Sequence, residues 1–311
     1  MQFGNYLLIR LFQALLVVWL VATIVFVVSR LVGNPETFLS SGIEATPMEI
    51  EKIRERFGLN DSLGKQYLDF ITDSVQGDFG HSWGQAGDST MKSIAQRAPN
   101  TFKLGAAALL FALSIAVPLG IVAAIRRGSS LDWLARLVAV FGQAVPGFWL
   151  ALMMVFFFAV KLGWFPTSGS AGIRSLILPA AALGMLEMAA IMRLTRSGMI
   201  EAMDQDFIRT ARAKGLNERV IIFRHAIRHA ILPVVSLLGI TLGRLIAGSV
   251  IVELIFAWPG VGRLIIDSIR VSDYPMVQAA VIVLSASIAV ANLLVDISYQ
   301  FIDPRIRLGR S

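Results

Sequence analysis

The sequence predicts an all-α polytopic membrane protein with six transmembrane helices. Of its 311 residues, 56% are hydrophobic and only 16% are charged, whereas a typical soluble domain has about 25% charged residues. Several apolar runs reach the length of about 20 residues that a helix needs to cross a bilayer. The chain contains no cysteine, which excludes disulfides and thiolate metal sites.

Six apolar segments meet the length requirement for a span. We expect them at about 9–29, 102–125, 137–160, 176–192, 230–252 and 276–302. The first is longer than the apolar region of a secretion signal and no small-residue cleavage site follows, so it predicts an uncleaved span. Pro118, Pro179 and Pro233 lie within predicted spans, which membrane helices tolerate when neighbours satisfy the freed backbone groups.

Basic residues are distributed unequally between the loops that connect these segments. Three arginines lie between spans two and three, eight bases lie between spans four and five, and three arginines lie in the tail. The loops between spans three and four and between spans five and six contain two bases each, which predicts that both termini are cytoplasmic. The net charge of +7 therefore reflects membrane orientation and does not indicate nucleic-acid binding.

The segment 31–101 between spans one and two is then external and helical. Thr46-Pro47-Met48-Glu49 forms a capping box with proline at the first helical position, and Gly58 supplies the end of that helix. A second helix is expected from Leu63 to Val75, ending at Gly77. The segment is too short and has too few core residues for an independent binding domain. We therefore expect a solvated cap on the outer membrane face.

A polar helix interrupts the apolar chain at 201–216, EAMDQDFIRTARAKGL. Acidic residues at its start, where Asp204 can serve as cap, and basic residues at its end complement the helix dipole. Met203, Phe207 and Ala211 recur every four residues and predict a narrow apolar face, of the kind that seats in a partner's groove. Gly215 occupies a position that favours positive φ, and Asn217 caps a second helix, 218–232. The alternative is a solvated connector.

Several motifs resemble those of a known transporter family. Glu201-Ala202-Met203, Asp206, Gly215 and Ile231-Leu232-Pro233 resemble the EAA loop of ABC-importer membrane subunits. The wider text DFIRTARAKGL…FRHAIRHAILP is similar to the dipeptide, oligopeptide and nickel branch of that family. GDFGHSW (77–83), LPAAALG (178–184) and GSVIVELIFAWPGVGRLIIDSI (248–269) match in the same order, so the resemblance covers nearly the whole chain.

The resemblance implies a type I ABC importer transmembrane domain, as the first-permease (B-type) subunit. The expected parts are an N-terminal segment with the first helix (1–30), an extracytoplasmic insert (31–101), and a permease core (102–311) with a coupling loop at 193–230. The implied partners are a second homologous permease, two ABC ATPase subunits and an extracytoplasmic solute-binding protein. The expected location is a bacterial or archaeal cytoplasmic membrane. The implied solute is a peptide or similar small polar molecule, with sugar, glutathione and nickel as alternatives.

In this family the EAA loop docks on the ATPase subunit, whose ATP-driven closure switches the spans between inward-open and outward-open states. The resemblance assigns that coupling role to Glu201, Ala202, Met203, Asp206, Phe207, Arg209, Ala211, Arg212 and Gly215. The chain has no Walker A pattern, so we expect no enzymatic activity and no cofactor here, with ATP and Mg²⁺ bound by the partners. His225 and His229 are four apart, but Ala226 replaces the glutamate of HExxH, which argues against a metalloprotease. His229 also stands where the family more often has asparagine.

Polar residues near or within the spans are candidates for the translocation path. Arg244 either lines the path and meets a substrate carboxylate, or pairs with Glu187, Asp296 or another subunit. Glu253 lies at the outer end of span five, and Trp258 lies in the turn that follows. These residues predict an outer gate, a docking edge for a binding protein, or a simple anchor at the membrane interface. The Gln143 side chain either faces the translocation path or packs within the protein. An intramembrane enzyme would need paired catalytic residues, and a secondary transporter would more often show internal repeats; neither is visible.

Overall fold

The computed structural model describes residues 3–32, 48, 51, 60–83 and 89–302. The chain forms two compact units. The first comprises Met1–Thr101 and Pro259–Leu293, and the second comprises Phe102–Trp258 and Leu294–Ser311.

The described residues are helices and connecting turns, with one isolated antiparallel bridge between His81 and Ser89. The helices are α1 (Phe3–Val32), α2 (Leu63–Gln76), α3 (Thr90–Ile125), α4 (Ser130–Ala144), α5 (Gly147–Met154), α6 (Ile173–Met203), α7 (Asp206–Ala213), α8 (Glu218–Val220), α9 (Ile227–Ala230), α10 (Leu232–Ile255), α11 (Val261–Arg270) and α12 (Tyr274–Ile302). Two π-helical segments, Val155–Lys161 and Ile221–Ala226, follow α5 and α8. The predicted all-α class is confirmed.

Five helices in the described residues are long and apolar enough to cross a membrane: Leu7–Leu31, Thr90–Ile125, Ile173–Met203, Leu232–Ile255 and Tyr274–Ile297. The predicted third span is wrong as one continuous helix. The chain breaks between α4 and α5 at Val145–Pro146, where Pro146 is extended with φ −59° and ψ 131°. Proline has no N–H for the helix ladder and disfavours helical geometry in the preceding residue. The count of six spans stays a prediction.

In the first unit, an apolar cluster joins the start of α3 with α11 and the start of α12. Ile94 packs with Val261, Leu264 and Met276 in this cluster. Two hydrogen bonds strengthen the junction: Asn100 Nδ2 donates to the Pro259 carbonyl at 3.0 Å, and the Val261 amide donates to Thr101 Oγ1 at 2.9 Å. Polar groups at the end of the apolar cluster are thereby satisfied, as burial requires.

The helix α2 belongs to the same unit and confirms the predicted helix at 63–75. Its N-cap Ser62 accepts a hydrogen bond from the Lys65 amide, and it ends at Gly77 with φ +78°. None of its residues is fully buried, and it packs through Tyr67 and Phe70 on the Phe26 ring of α1, at centroid distances of 5.3 and 5.2 Å. The predicted first helix of the insert, with its capping box, lies largely outside the described residues.

Asp273 fixes the turn that follows α2. Its carboxylate accepts hydrogen bonds from the Ser82 hydroxyl, from the Trp83 amide at 3.1 Å, and from the Met276 amide at 3.3 Å. Trp83 also packs edge-on against Tyr274 at 5.9 Å. One buried carboxylate thus caps α12 and holds residues 82–83 against its first turn.

A cavity of about 270 Å³ opens in this unit beside α2 and the start of α12. Four aspartates, one arginine and one histidine contribute charged or titratable groups to its lining: Asp61, Asp69, Asp73, Asp78, Arg30 and His81. The four aspartates outnumber the arginine and the histidine together. The lining therefore has a net negative charge.

In the second unit, α6 lies at the centre of the packing. Its residues contribute to a cluster with α3 and α10 around Leu183 and Leu245, and to a second cluster around Met192 and Val234. Glycines permit unusually close contacts with α3. A Cβ at Gly184 would lie 2.5 Å from the Ala108 carbonyl oxygen, and one at Gly120 would lie 2.7 Å from Thr195 Cβ. Such small residues are typical of membrane helix interfaces.

Replacing Gly184 by alanine tests this close contact. We expect Gly184→Ala to destabilise the protein by about 1–3 kcal/mol, because the backbone carbonyl at 2.5 Å cannot yield without moving α3. Gly105→Ala is the matched control, since a Cβ there meets nothing within 4 Å. Thermal unfolding in detergent micelles measures the difference, and equal stability of the two variants would contradict the packing argument.

Candidate functional site

The candidate site is the hairpin formed by the end of α6, α7 and the helical segment up to α9. The sequence predicts that span four ends near 192, but α6 continues without interruption to Met203. Thr195, Met199 and Ala202 are buried along this extension. The arginine, leucine, methionine and glutamate residues of this extension favour helices. Together with the burial of one face, this preference continues the helix beyond the apolar run.

A sharp turn separates α6 from α7. Asp204 ends α6 with its backbone amide bonded to carbonyls of that helix, and Gln205 is the extended residue before α7. The prediction that Asp204 caps α7 is therefore wrong by one residue, and Gln205 forms no side-chain cap. Asp206 in the first turn and Arg212 in the last turn do complement the helix dipole as predicted.

The apolar face of α7 packs against the chain itself. Ile208 and Ala211 are buried in a cluster with Met199, Ala202 and Ile221. Phe207 contributes to this cluster and stacks on His229, with a centroid distance of 4.7 Å. The following segment folds back against the predicted face, so that Ala211 is buried and Met203 and Phe207 are partly buried. Contact of this face with a partner stays a prediction.

The second turn of the hairpin has the predicted geometry. Gly215 has φ +74°, and the amides of Gly215 and Leu216 donate to the carbonyls of Arg212 and Ala211. Asn217 Oδ1 accepts from the Arg219 amide at 2.9 Å, which confirms its capping role. Arg212 Nε donates to Glu218 Oε1 at 2.7 Å across the turn, and this bond raises the pKa of Arg212 and lowers that of Glu218.

The hairpin exposes two kinds of surface. The polar face of α7 presents Asp206 and Arg209, whose side chains are largely exposed. Arg209 Nη1 lies 3.4 Å from Asp206 Oδ1. Beside the turn, three apolar side chains are also exposed: Leu216, Val220 and Phe223, the last to 64%. We call these three residues the apolar strip. Sequence analysis missed it, although the spacing i, i+4, i+7 would have revealed it.

Asp132, at the start of α4, was also missed from the sequence. It is only 1% exposed and accepts hydrogen bonds from Arg196 Nε at 2.7 Å, Arg196 Nη2 at 3.0 Å, Arg136 at 3.2 Å and the Gly128 amide at 3.1 Å. The side-chain bond from Arg196, followed by the Gly128 amide, lowers the pKa of Asp132 to about 2. This bidentate contact joins α4 to the extension of α6.

Arg244 and Glu187 form an ion pair between α10 and α6. Arg244 Nη2 lies 2.7 Å from Glu187 Oε2, and the side chains are 51% and 10% exposed. Of the three pairings considered from the sequence, the described contact is the one with Glu187.

The remaining path candidates occupy different positions. Glu253 is fully buried and accepts a hydrogen bond from Ser249 Oγ at 3.1 Å, so it forms no exposed docking edge. Trp258 is 1% exposed in the apolar cluster of Leu104 and Phe256, and the expected interfacial anchor is therefore wrong. Gln143 lies in α4, but its side chain is outside the described part of the structure.

Comparison with known proteins identifies the family. Residues 116–308 match the model of the binding-protein-dependent transport system inner membrane component. Residues 3–105 match the corresponding N-terminal model of binding-protein-dependent transport system membrane components. The chain belongs to this family. It is a multi-pass membrane permease, and the predicted relation to peptide-type ABC permeases is confirmed.

Relatives and a solved structure agree with this assignment. The permease is similar to the oligopeptide transport system permease protein AppB of Bacillus subtilis, with 39% identity over 88% of this chain and 90% of AppB. It is 36% identical to the glutathione transport system permease protein GsiC of Escherichia coli K12, over 97% and 99% of the two chains. Its fold resembles an inward-facing structure of the MetNI methionine ABC transporter, with TM-score 0.57 and 17% identity over 68% and 97% of the chains.

The Asp132 contact yields a prediction about acid stability. Because the folded pKa is lowered, the ionised carboxylate contributes stability above its ordinary pKa of 3.8, and this contribution is lost as pH falls towards about 2. We expect Asp132→Asn to lower the melting temperature of the permease at pH 7. We also expect the difference from wild type to shrink between pH 3.8 and about 2.

Arg196→Gln and Arg136→Gln are the matched controls for this prediction. Arg196 makes the bidentate contact, whereas Arg136 is half-exposed and makes one longer side-chain contact. Arg196→Gln should therefore destabilise more than Arg136→Gln. Identical melting curves for wild type and Asp132→Asn at pH 7 would show that the contact contributes nothing.

Proposed function

We propose that this chain is the first permease subunit of an ATP-driven importer that carries peptides, or a similar small polar solute, into the cell. The supporting observation is the hairpin at the end of α6, which is held together by a buried apolar cluster and displays polar and apolar surface at the end of an apolar helix long enough to span a membrane. The names of AppB and GsiC support oligopeptides or glutathione as the solute class. Sugar and nickel are alternatives within the same family.

In this proposal the hairpin docks on an ATPase subunit. The exposed residues would make the contact: Glu201, Asp206, Arg209 and Arg212 through their polar groups, and the apolar strip through burial. Ala202 and Ala211 would hold the hairpin together from within, with partial help from Met203 and Phe207. The coupling role assigned to these eight residues, and to Gly215 at the turn, thus divides into contact with the ATPase and support of the hairpin.

Motion would pass from the ATPase into the bilayer through α6. A helix of 31 residues is about 46 Å long. The buried cluster of Met199, Ile208 and Ile221 ties α7 to the end of that helix, so a displaced hairpin carries α6 with it. Rigid-body rocking of such elements is a common two-state mechanism.

The other parts of the complex follow from the family. A second homologous permease would complete the membrane part, two ABC ATPases would bind ATP and Mg²⁺, and a solute-binding protein would deliver the solute from outside. Both termini would be cytoplasmic in a bacterial or archaeal cytoplasmic membrane, as the distribution of arginines indicates. The segment 31–101 would then be extracytoplasmic, beside the binding protein, and an outer gate would include Glu253 and Trp258.

Purification of the complete transporter tests the proposal. A tag on this chain should recover an ATPase and a second permease, and mass spectrometry should identify the carried solute. In proteoliposomes, uptake should require ATP. Uptake by the chain alone, without an ATPase, would instead support a channel or secondary transporter and would reject the proposal.

The turn at Gly215 provides a test of coupling. Gly215→Val forces a β-branched residue to φ +74°, which costs about 1–2 kcal/mol, although no neighbouring atom obstructs it. We expect membrane insertion to persist while ATP hydrolysis no longer drives uptake. Gly215→Asn is the matched control because asparagine tolerates positive φ. Full uptake by the valine variant would contradict the role of the turn.

The apolar strip provides a test of docking. Phe223→Ser removes its most exposed ring, and truncation of an interface anchor commonly weakens binding about tenfold or more. We expect less ATPase to copurify with the variant. Val75→Ser, at an exposed apolar position on α2, is the matched control and should not change recovery. Equal recovery in both variants would exclude the strip from the interface.

A further inference from the structure

The open face of α10 contains a single charged residue. Exposed positions recur along this helix at Ile240, Arg244, Ala247 and Ile251. Their spacing of four, three and four residues places them on one helical face. The face is otherwise apolar, and Arg244 lies near the middle of a helix that is long and apolar enough to span the membrane.

The ion pair with Glu187 uses only part of the guanidinium. An arginine has five N–H donors, and in the described part of the chain Glu187 accepts one of them, from Nη2 at 2.7 Å. Glu187 lies on the protein side of the pair, and half of the Arg244 side chain remains open. The N–H groups that Glu187 does not accept therefore belong to a side chain that is half exposed on the open face of α10.

Lipid is an unfavourable covering for this face. A charged side chain in the bilayer centre costs several kcal/mol, and N–H groups without an acceptor add to that cost. A carboxylate from another subunit, buried against the pair without water, is also unfavourable, because Glu187 already neutralises Arg244 and a second acid would leave a net negative charge in a low dielectric. Beside water the same charge is screened, so a solute carboxylate can bind there transiently. Water satisfies the donors without adding charge.

We infer that Arg244 forms a carboxylate subsite on the water-lined translocation path, with Glu187 as its positioning residue. The inference rests on the proposed function and specifies its substrate class: solutes with a free carboxylate, such as the carboxyl end of a peptide. The open N–H groups donate charge-assisted hydrogen bonds to that carboxylate. Glu187 holds the guanidinium and reduces its net charge, so the solute binds weakly enough to leave.

Weak binding is a requirement of transport. A site on a path must attract the solute enough for entry without retaining it. A lone arginine within the bilayer would hold an anion strongly. The geometry of the pair therefore predicts opposite effects for its members: loss of Arg244 weakens carboxylate recognition, and neutralisation of Glu187 strengthens it at the expense of release.

Trialanine and trialanine amide are the probes for this subsite, because they differ in the terminal carboxylate. Uptake is measured in proteoliposomes with the complete transporter and one binding protein throughout. We expect Arg244→Gln to reduce the ratio of trialanine uptake to trialanine amide uptake about tenfold. Arg244→Lys should retain part of the preference for trialanine. Arg270→Gln, at an exposed arginine at the end of α11, is the matched control and should keep the wild-type ratio.

The Glu187→Gln variant supplies an independent readout. We expect a lower KM for trialanine together with a lower maximal rate, because binding tightens and release slows. A purely structural ion pair would not produce this split. It would reduce the amount of assembled transporter and affect both probes equally.

The remaining outcomes separate this inference from the proposed function. An unchanged ratio in Arg244→Gln, or loss of the second permease from that variant, overturns the subsite and leaves the importer intact. A wild-type transporter that imports a neutral sugar or a nickel ion and neither peptide probe overturns both the subsite and the peptide class. ATP-independent uptake, or none of any solute, rejects the importer and the subsite with it.

Discussion

The arrangement of the second unit depends on the close packing of α6 with its neighbours. Gly120 and Gly184 permit α3 to approach it, and Gly198 permits contact with the backbone of Ala230 at the base of the hairpin. Lipid provides little hydrophobic drive for helices to associate, so close van der Waals contact between small residues is the main source of their cohesion. A side chain at any of these positions would separate α6 from the elements that it organises.

Two ion pairs on α6 show how environment determines the role of a charge. Asp132 is enclosed by Arg196, Arg136 and the Gly128 amide, and the contact holds α4 to the end of α6. Arg244 is held by Glu187 through one nitrogen, and half of its side chain is exposed. The first arrangement uses its polar groups for structure. We propose that the second leaves polar groups available to a solute, at a depth where they would otherwise be costly.

The differences between sequence and structure have specific causes. An apolar run from 137 to 160 predicts one span, but Pro146 interrupts the backbone hydrogen bonds there. The periodicity of Met203, Phe207 and Ala211 correctly predicts an apolar face, but periodicity does not specify what covers that face. Trp258 follows the apolar run of α10, yet it is buried in a cluster with Leu104 and Phe256.

The sequence alone determined the membrane class, most of the helices, the Gly215 and Asn217 turn and the family, because these depend on local hydrophobicity, backbone preference and short motifs. Only the tertiary structure decided that α6 continues to Met203, that the apolar face of α7 packs inward, and that Asp132 meets Arg196. It also showed that Arg244 pairs with Glu187, one of the three pairings that the sequence permitted. Contacts between residues far apart in the chain depend on how helices pack, and local patterns do not encode that packing directly.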